Sequence, residues 1–228
     1  MTLHYEKKKI REGFNYVIGC DEVGRGCLAG PVVAAAVAVD GELKAESYKV
    51  VKSAGIRDSK LLSPMQRVKA AEIIKRHFLC GIGVVDEKII DKINIHHATL
   101  LAMRRAVEDL LSQQILIPDL VEGSKIVPST SSGNKFYIVI DGKFTIPNFN
   151  IAQEAVVDGD NKILSVAAAS IIAKVFRDDL MRKYHTKHPL YNFAQHKGYG
   201  TLFHRQMIVK HGLSRIHRKS FCNNIEEK

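Results

Sequence analysis

Residues 14–30 read FNYVIGCDEVGRGCLAG, and no other stretch limits the possible folds as much. Apolar β-formers from Tyr16 to Cys20 stop at two adjacent acids, Asp21 and Glu22, and a glycine-rich segment, Gly24-Arg25-Gly26, follows at once. Such a run, bounded by glycine, predicts a buried strand with a sharp end. Open α/β sheets meet their ligands at the carboxyl ends of strands, where these acids fall. The competing reading is a strand that merely ends in solvated charges. Neighbours in a regular strand point to opposite faces. Asp21 and Glu22 therefore serve one site only if the strand distorts or ends there, which Gly24 permits.

Two further strands are predicted to end in acids. Phe136–Ile140 runs into Asp141-Gly142, and Ile151–Val157 into Asp158-Gly159-Asp160. A lone Asp at a strand end is more often a turn-former than a ligand. Three such ends become informative in a chain whose 34 Lys and Arg exceed its 24 Asp and Glu. If the strands are neighbours, three or four carboxylates converge at one sheet edge. Packed carboxylates repel one another and call for protons or cations. Hard oxygen donors suit Mg²⁺ or Mn²⁺, and a carboxylate cage facing a phosphate is the two-metal arrangement for phosphodiester cleavage. The net charge of +10 suits a polyanionic partner such as nucleic acid.

Other classes fit less well. Gly24-x-Gly26 lacks the third glycine of a dinucleotide fingerprint at the right place, and Pro31 with a β-like run stands where a helix should start. Cys20, Cys27, Cys80 and Cys222 form no CxxC pair, so a zinc site is not expected and the scattered thiols fit a reducing cytosol. No Walker-type loop supports a phosphotransferase. The first 14 residues lack the apolar core of a signal peptide, and the longest apolar run, Pro31–Val39, is too short to span a membrane. A nucleic-acid-binding protein without catalysis would keep the basic surface but need no acid cluster.

The pattern predicts one α/β domain, with a core over about 14–185 and a helical C-terminal part over about 186–222. Residues 1–13 are polar and expected to fray. Val32–Val39 is a second strand, with a turn at Asp40-Gly41. Ser63-Pro64-x-Gln66 starts a helix with a capping box that runs to His77. Leu79–Val85 reads as a strand, with its two glycines counting against that assignment. His96–Ser112 and Leu164 to about His185 carry helical spacing, and a last helix spans roughly 201–211. Residues 121–135, rich in Ser, Gly and Pro, are expected to form an exposed loop. Arg215, His217, Arg218 and Lys219 read as a basic tail, and His196 and His204 as surface histidines. Asp58-Ser59-Lys60 could hold a phosphate or form a plain turn. Ser170, Lys174 and Arg177 share one helix face, either functional or solvated. Tyr199, between glycines, could stack on a sugar or base or pack on the core.

These motifs, with Ile93-Asn94-Ile95, Ala168–Lys174 and His196-Lys197-Gly198-Tyr199, resemble those of ribonuclease HII in order and over nearly the whole chain, about 14–222. The resemblance implies a ribonuclease H-like fold with a mixed central sheet flanked by helices and a helical C-terminal part. It implies a metal-dependent endonuclease that cuts RNA in RNA/DNA hybrids and incises 5′ to single ribonucleotides in duplex DNA, leaving 3′-hydroxyl and 5′-phosphate ends. Its four acids fall on Asp21, Glu22, Asp141 and Asp160, with Mg²⁺ or Mn²⁺, two ions during catalysis. Gly24, Arg25 and Gly26 match the segment that reads the 2′-hydroxyl by its backbone, and Tyr199 the tyrosine that packs on the following sugar. Lys60, Ser170 and Lys174 fall in motifs near the phosphates, and Asn94 near the DNA strand. A monomer in the cytoplasm without an obligate protein partner is expected, and the terminal NNIEEK matches no clamp-binding motif. Arg25 separates this pattern from ribonuclease HIII, which carries Thr there and an extra N-terminal domain. Asp158 replaces the usual Lys and rivals Asp160 as fourth ligand. The spacing to Ser170 favours Asp160.

Overall fold

The computed structural model describes residues 3–41, 55–56, 59–114, 135–223 and 225. The chain forms a mixed five-stranded sheet of order β3-β2-β1-β4-β5, with β1 Tyr16–Val23, β2 Val32–Asp40, β3 Leu79–Val85, β4 Phe136–Asp141 and β5 Ala152–Val156. β2 runs antiparallel to both β1 and β3, while β1, β4 and β5 are parallel. The carboxyl ends of β1, β4 and β5 therefore share one edge, and the three acid groups of the sequence fall on it.

Helices cover both faces. On one face lie α2 (Pro64–His77) and α5 (Leu164–Lys187), packed on Ala35, Val37 and Val39; on the other lies α3 (Glu87–Gln114), packed on Ala34, Ala36 and Ala38. α2 begins as its sequence dictates, with Ser63 and Gln66 exchanging backbone-to-side-chain bonds across a capping box and Pro64 in the first turn. α3 contains a break at Asn94 (φ 63°, ψ 168°), where its two halves meet. The short helices α4 (Gly159–Lys162) and α6 (Phe193–His196) and the longer α7 (Leu202–His211) complete the C-terminal half. Among the described residues, no helix is long and apolar enough to cross a membrane.

β3 has the expected bounds, and its two glycines let a helix approach its backbone closely. A Cβ at Gly81 or Gly83 would fall closer than 3.0 Å to the Ala106 or Ala102 carbonyl oxygen, and one at Gly19 closer than 3.0 Å to the Ser165 backbone. The helices lie directly on strand backbone at these points. Gly19→Ala and Gly83→Ala should each cost about 3 kcal/mol or more through overpacking. Urea unfolding would test this, and a loss below about 1 kcal/mol would contradict the close approach.

The N-terminus does not fray as expected. His4–Arg11 forms helix α1, and the fully buried Glu6 accepts the Ser165 amide at 2.8 Å. α5 has no side-chain cap of its own. Glu6 therefore supplies the acceptor that its first turn requires, from 159 residues away. The 121–135 loop lies, up to residue 134, outside the described residues, as do Asp58 and the Lys60 side chain.

Candidate active site

β1 neither distorts nor stops at its acids. Its register with β2 continues regularly through Asp21↔Ala35 and Glu22↔Ala34 to Val23↔Val33, contrary to the expectation of a break. Asp21 consequently lies on the α5 face and Glu22 on the α3 face. Asp141, one step beyond the Cys20↔Ile140 pair of β1 and β4, falls on the same face as Asp21.

Asp21 is only 6% exposed. Its Oδ1 accepts the Glu22 amide at 2.7 Å, and Ser170 donates to its carboxylate. The Ser170 and Ser59 hydroxyls are hydrogen-bonded to each other at 2.9 Å. Ser59 is 6% exposed, with its hydroxyl against Ser170. Burial, then Glu22 and Asp141, push the Asp21 pKa well up. Glu22 is raised mainly by burial, with Asp141 adding to the effect and Arg25, 3.2 Å away, opposing it. Asp141 Oδ1 accepts the Gly159 amide at 2.7 Å, which ties the end of β4 to the start of α4. Asp160 on α4 is buried and bonded to Asn161, whereas Asp158 is exposed in a left-handed conformation.

Among the described residues, no three His, Cys, Asp or Glu side chains stand in a group tight enough to hold an ion. The donor chemistry nevertheless fits a hard divalent cation. Asp21, Glu22 and Asp141 offer only carboxylate oxygens; Glu22 and Asp141 raise the Asp21 pKa and Asp141 raises that of Glu22, and a cation would relieve that repulsion.

The glycine segment lies against the site and is gripped from behind. Arg218 is fully buried and donates to the carbonyls of Gly24 (2.7 Å), Arg25 (2.8 Å) and Gly30 (2.9 Å). Arg177, also fully buried, donates to Ala29, Pro31 and Lys197. Burial lowers the Arg218 pKa to about 10, still far above neutrality, so the guanidinium stays charged. Backbone bonds Leu28→Gly198, Gly30→Ile216 and Arg218→Leu28 fasten the loop to two C-terminal segments. The expected basic tail is thus interior structure, at least at His217 and Arg218, and the Arg177 end of the α5 face is covered, not solvated.

Tyr199 pairs with Cys27 across an isolated bridge and is 42% exposed, with Lys174 6.0 Å from its ring centre. Lys174 is also bonded to Asp178 at 2.8 Å. Asn94 is not brought to the acids by any described contact. Its carboxamide oxygen accepts the His96 and His97 amides and caps the second half of α3. The Lys60 backbone lies in a 3₁₀ turn, Ser59–Leu61.

His196 and His204 are not surface groups. His204 and His217 are buried, with Nε2 atoms 3.0 Å apart, and His196 stacks on His204. The Tyr199 carbonyl can only accept, so His204 Nδ1 carries its proton; the Ser214 amide can only donate, so His217 is protonated on Nε2 and donates to His204. Both rings are neutral, and burial lowers both pKa values to about 4. The unfolded chain, titrating near 6.5, takes up protons that the folded chain refuses until about pH 4. This contribution to stability is whole above about pH 6.5, falls as pH drops, and levels off below about 4, a loss on the order of 3 kcal/mol per imidazole. His217→Phe should flatten the fall in melting temperature between pH 6.5 and 4 relative to wild type; parallel curves would refute the neutral pair.

Sheet order, acid-bearing edge and helical C-terminal half together define a ribonuclease H-like fold. The solved ribonuclease H2 of Pyrococcus horikoshii superposes with TM-score 0.63 at 24% identity, covering 92% of this chain and 97% of its own. Bst-RNase HIII, solved in complex with Mn²⁺, gives 0.67 at 21% identity over 91% of this chain and 67% of its own. The ribonuclease HII family model matches residues 18–224. Ribonuclease HII of Caldicellulosiruptor saccharolyticus is 42% identical over 221 residues, 96% of this chain and 93% of that protein. The chain belongs to the ribonuclease HII family and is an endonuclease of the ribonuclease H type.

Proposed function

We propose that this enzyme cleaves the RNA strand of RNA/DNA hybrids and incises 5′ to single ribonucleotides in duplex DNA, leaving 3′-hydroxyl and 5′-phosphate ends. Asp21, Glu22, Asp141 and Asp160 are assigned as the ligands of Mg²⁺ or Mn²⁺, two ions during catalysis; Glu22, on the opposite face from Asp21, joins the others around the end of β1, which lies one residue further on at Val23. The observation that carries the reading is the meeting, at one sheet edge, of mutually repelling carboxylates with a glycine segment whose carbonyls are turned inward.

Bound divalent ions supply Lewis acidity and charge neutralisation at the scissile phosphate. The chain supplies the rest. Ser59 and Ser170 orient the Asp21 carboxylate, and the Gly159 amide orients Asp141. Gly24, Arg25 and Gly26 meet the 2′-hydroxyl, the group that separates RNA from DNA. The exposed face of Tyr199 packs on the neighbouring sugar, and Lys174 and Lys60 meet phosphates. Asn94 is assigned to the DNA strand through the half-helix that it caps.

Cleavage of two end-labelled duplexes, one with a single ribonucleotide and one a continuous hybrid, tests this in Mg²⁺ and then Mn²⁺. Incision 5′ to the lone ribonucleotide, lost on chelation, is expected. Cutting of the hybrid alone would refute the role given to the glycine segment, and binding without cutting of either would refute the metal-site assignment.

A further inference from the structure

We propose that Arg218 is a positioning residue for recognition of the ribonucleotide, fixing the peptide planes of Gly24–Arg25 and Arg25–Gly26 so that their N–H groups face the substrate. The inference rests on the proposed reading of the 2′-hydroxyl by this segment. A trans peptide is planar, with its C=O and N–H pointing opposite ways. Arg218 Nη2 holds the Gly24 carbonyl and Nη1 the Arg25 carbonyl, so the Arg25 and Gly26 amides point away from the guanidinium. A Cβ built on Gly26 meets nothing within 4 Å, so this residue borders open space. The third bond, from Nε to Gly30, fixes the fork itself.

Arg218 is delivered by its own anchor. The Asp91 carboxylate on α3 accepts the Lys219 amide at 2.9 Å and the Ser220 amide at 3.0 Å. The guanidinium is bonded to three carbonyls and makes no ion pair among the described residues. A cation buried against three carbonyls and the Phe221 ring, without an ion pair among the described residues, is an expensive way to stabilise a loop. It is a direct way to prevent two peptides from flipping, and glycine-flanked peptides flip readily.

The measurement is the ratio of kcat/KM on a single-ribonucleotide duplex to that on a continuous hybrid. A hybrid offers a 2′-hydroxyl at every register, whereas the lone ribonucleotide offers one. Arg218→Ala should therefore lower the ratio, with incision at the lone ribonucleotide falling about hundredfold, as misplaced recognition groups do. Methylguanidinium at non-denaturing concentration should raise the ratio again while the melting temperature of the variant stays unchanged; a merely structural role would raise the two together. Arg218→Lys should stay low, because one ammonium cannot span three carbonyls. A folded Arg218→Ala with the wild-type ratio would overturn the proposal. Should that variant fail to fold, Asp91→Ala takes its place, expected to lower the ratio; an unchanged ratio there would equally overturn it. Failure of wild type to cut at the lone ribonucleotide would sink the functional reading itself. A normal wild type, a Gly26→Ala variant with a lowered ratio and an unaffected Arg218→Ala would sink only the role of Arg218.

Discussion

Asp21→Asn is expected to lose cleavage by about a thousandfold or more, given that metal-supplied charge stabilisation is worth several kcal/mol. The folded protein should at the same time become more stable. Asparagine keeps the size of aspartate and an oxygen that can accept from the Glu22 amide. It removes a charge that burial, Glu22 and Asp141 all oppose. Because the folded-state pKa is raised above the unfolded value, the ionised form destabilises the fold at neutral pH, and its removal relieves that cost. In a metal-free buffer the variant should melt higher, by about 2–4 °C for each kcal/mol relieved in a chain of this size. Asp141→Asn should lose activity similarly, although its bond to the Gly159 amide leaves less stability to gain. Substrate binding should survive in both. Near-normal cleavage by either variant would break the site assignment, and a large loss of stability would recast Asp21 as a structural residue.

What the sequence carried and what it hid divide along a physical line. The strands at Tyr16, Val32 and Phe136 and the helix start at Ser63 depend on local periodicity and capping, so they could be read directly. The acid-bearing edge was legible because strand ends bring it about, although the parallel pairing of β1, β4 and β5 was not. Apart from the expected break in β1, the misreadings are long-range. Glu6 looked like part of a polar, frayed end because its partner is Ser165. Arg218 and His217 looked like a solvated tail because the carbonyls and imidazole that satisfy them lie elsewhere in the chain. Gly81 and Gly83 counted against a strand that does form, because the helix that presses on them is invisible from the strand. The only available signal was combinatorial: arginine and histidine close to a chain end, in a protein whose glycine segment needs its carbonyls satisfied.

The same distinction decides which glycine tests the reading of the 2′-hydroxyl. Gly24 is the obvious choice and a poor one. It has φ +94°, and a Cβ there would fall closer than 3.0 Å to the buried Arg177 guanidinium. Gly24→Ala would therefore strain the backbone and displace the clamp on Ala29 and Pro31. Loss of activity in that variant would say nothing about substrate. Gly26 differs: its φ lies outside the left-handed region, and an added Cβ meets no protein atom within 4 Å. Gly26→Ala should leave stability within about 0.5 kcal/mol of wild type, as for an open surface position. Under the proposed reading, its methyl group would occupy the space through which the ribose approaches the backbone. Incision at a lone ribonucleotide should fall about hundredfold, while the continuous hybrid, with alternative registers, should be affected less. Thermal melting and paired cleavage assays on the two duplexes separate these effects. A stable Gly26→Ala enzyme with an unchanged ratio of rates would show that the 2′-hydroxyl is recognised elsewhere, and Tyr199, half-exposed across the Cys27 bridge, would then be the first residue to test.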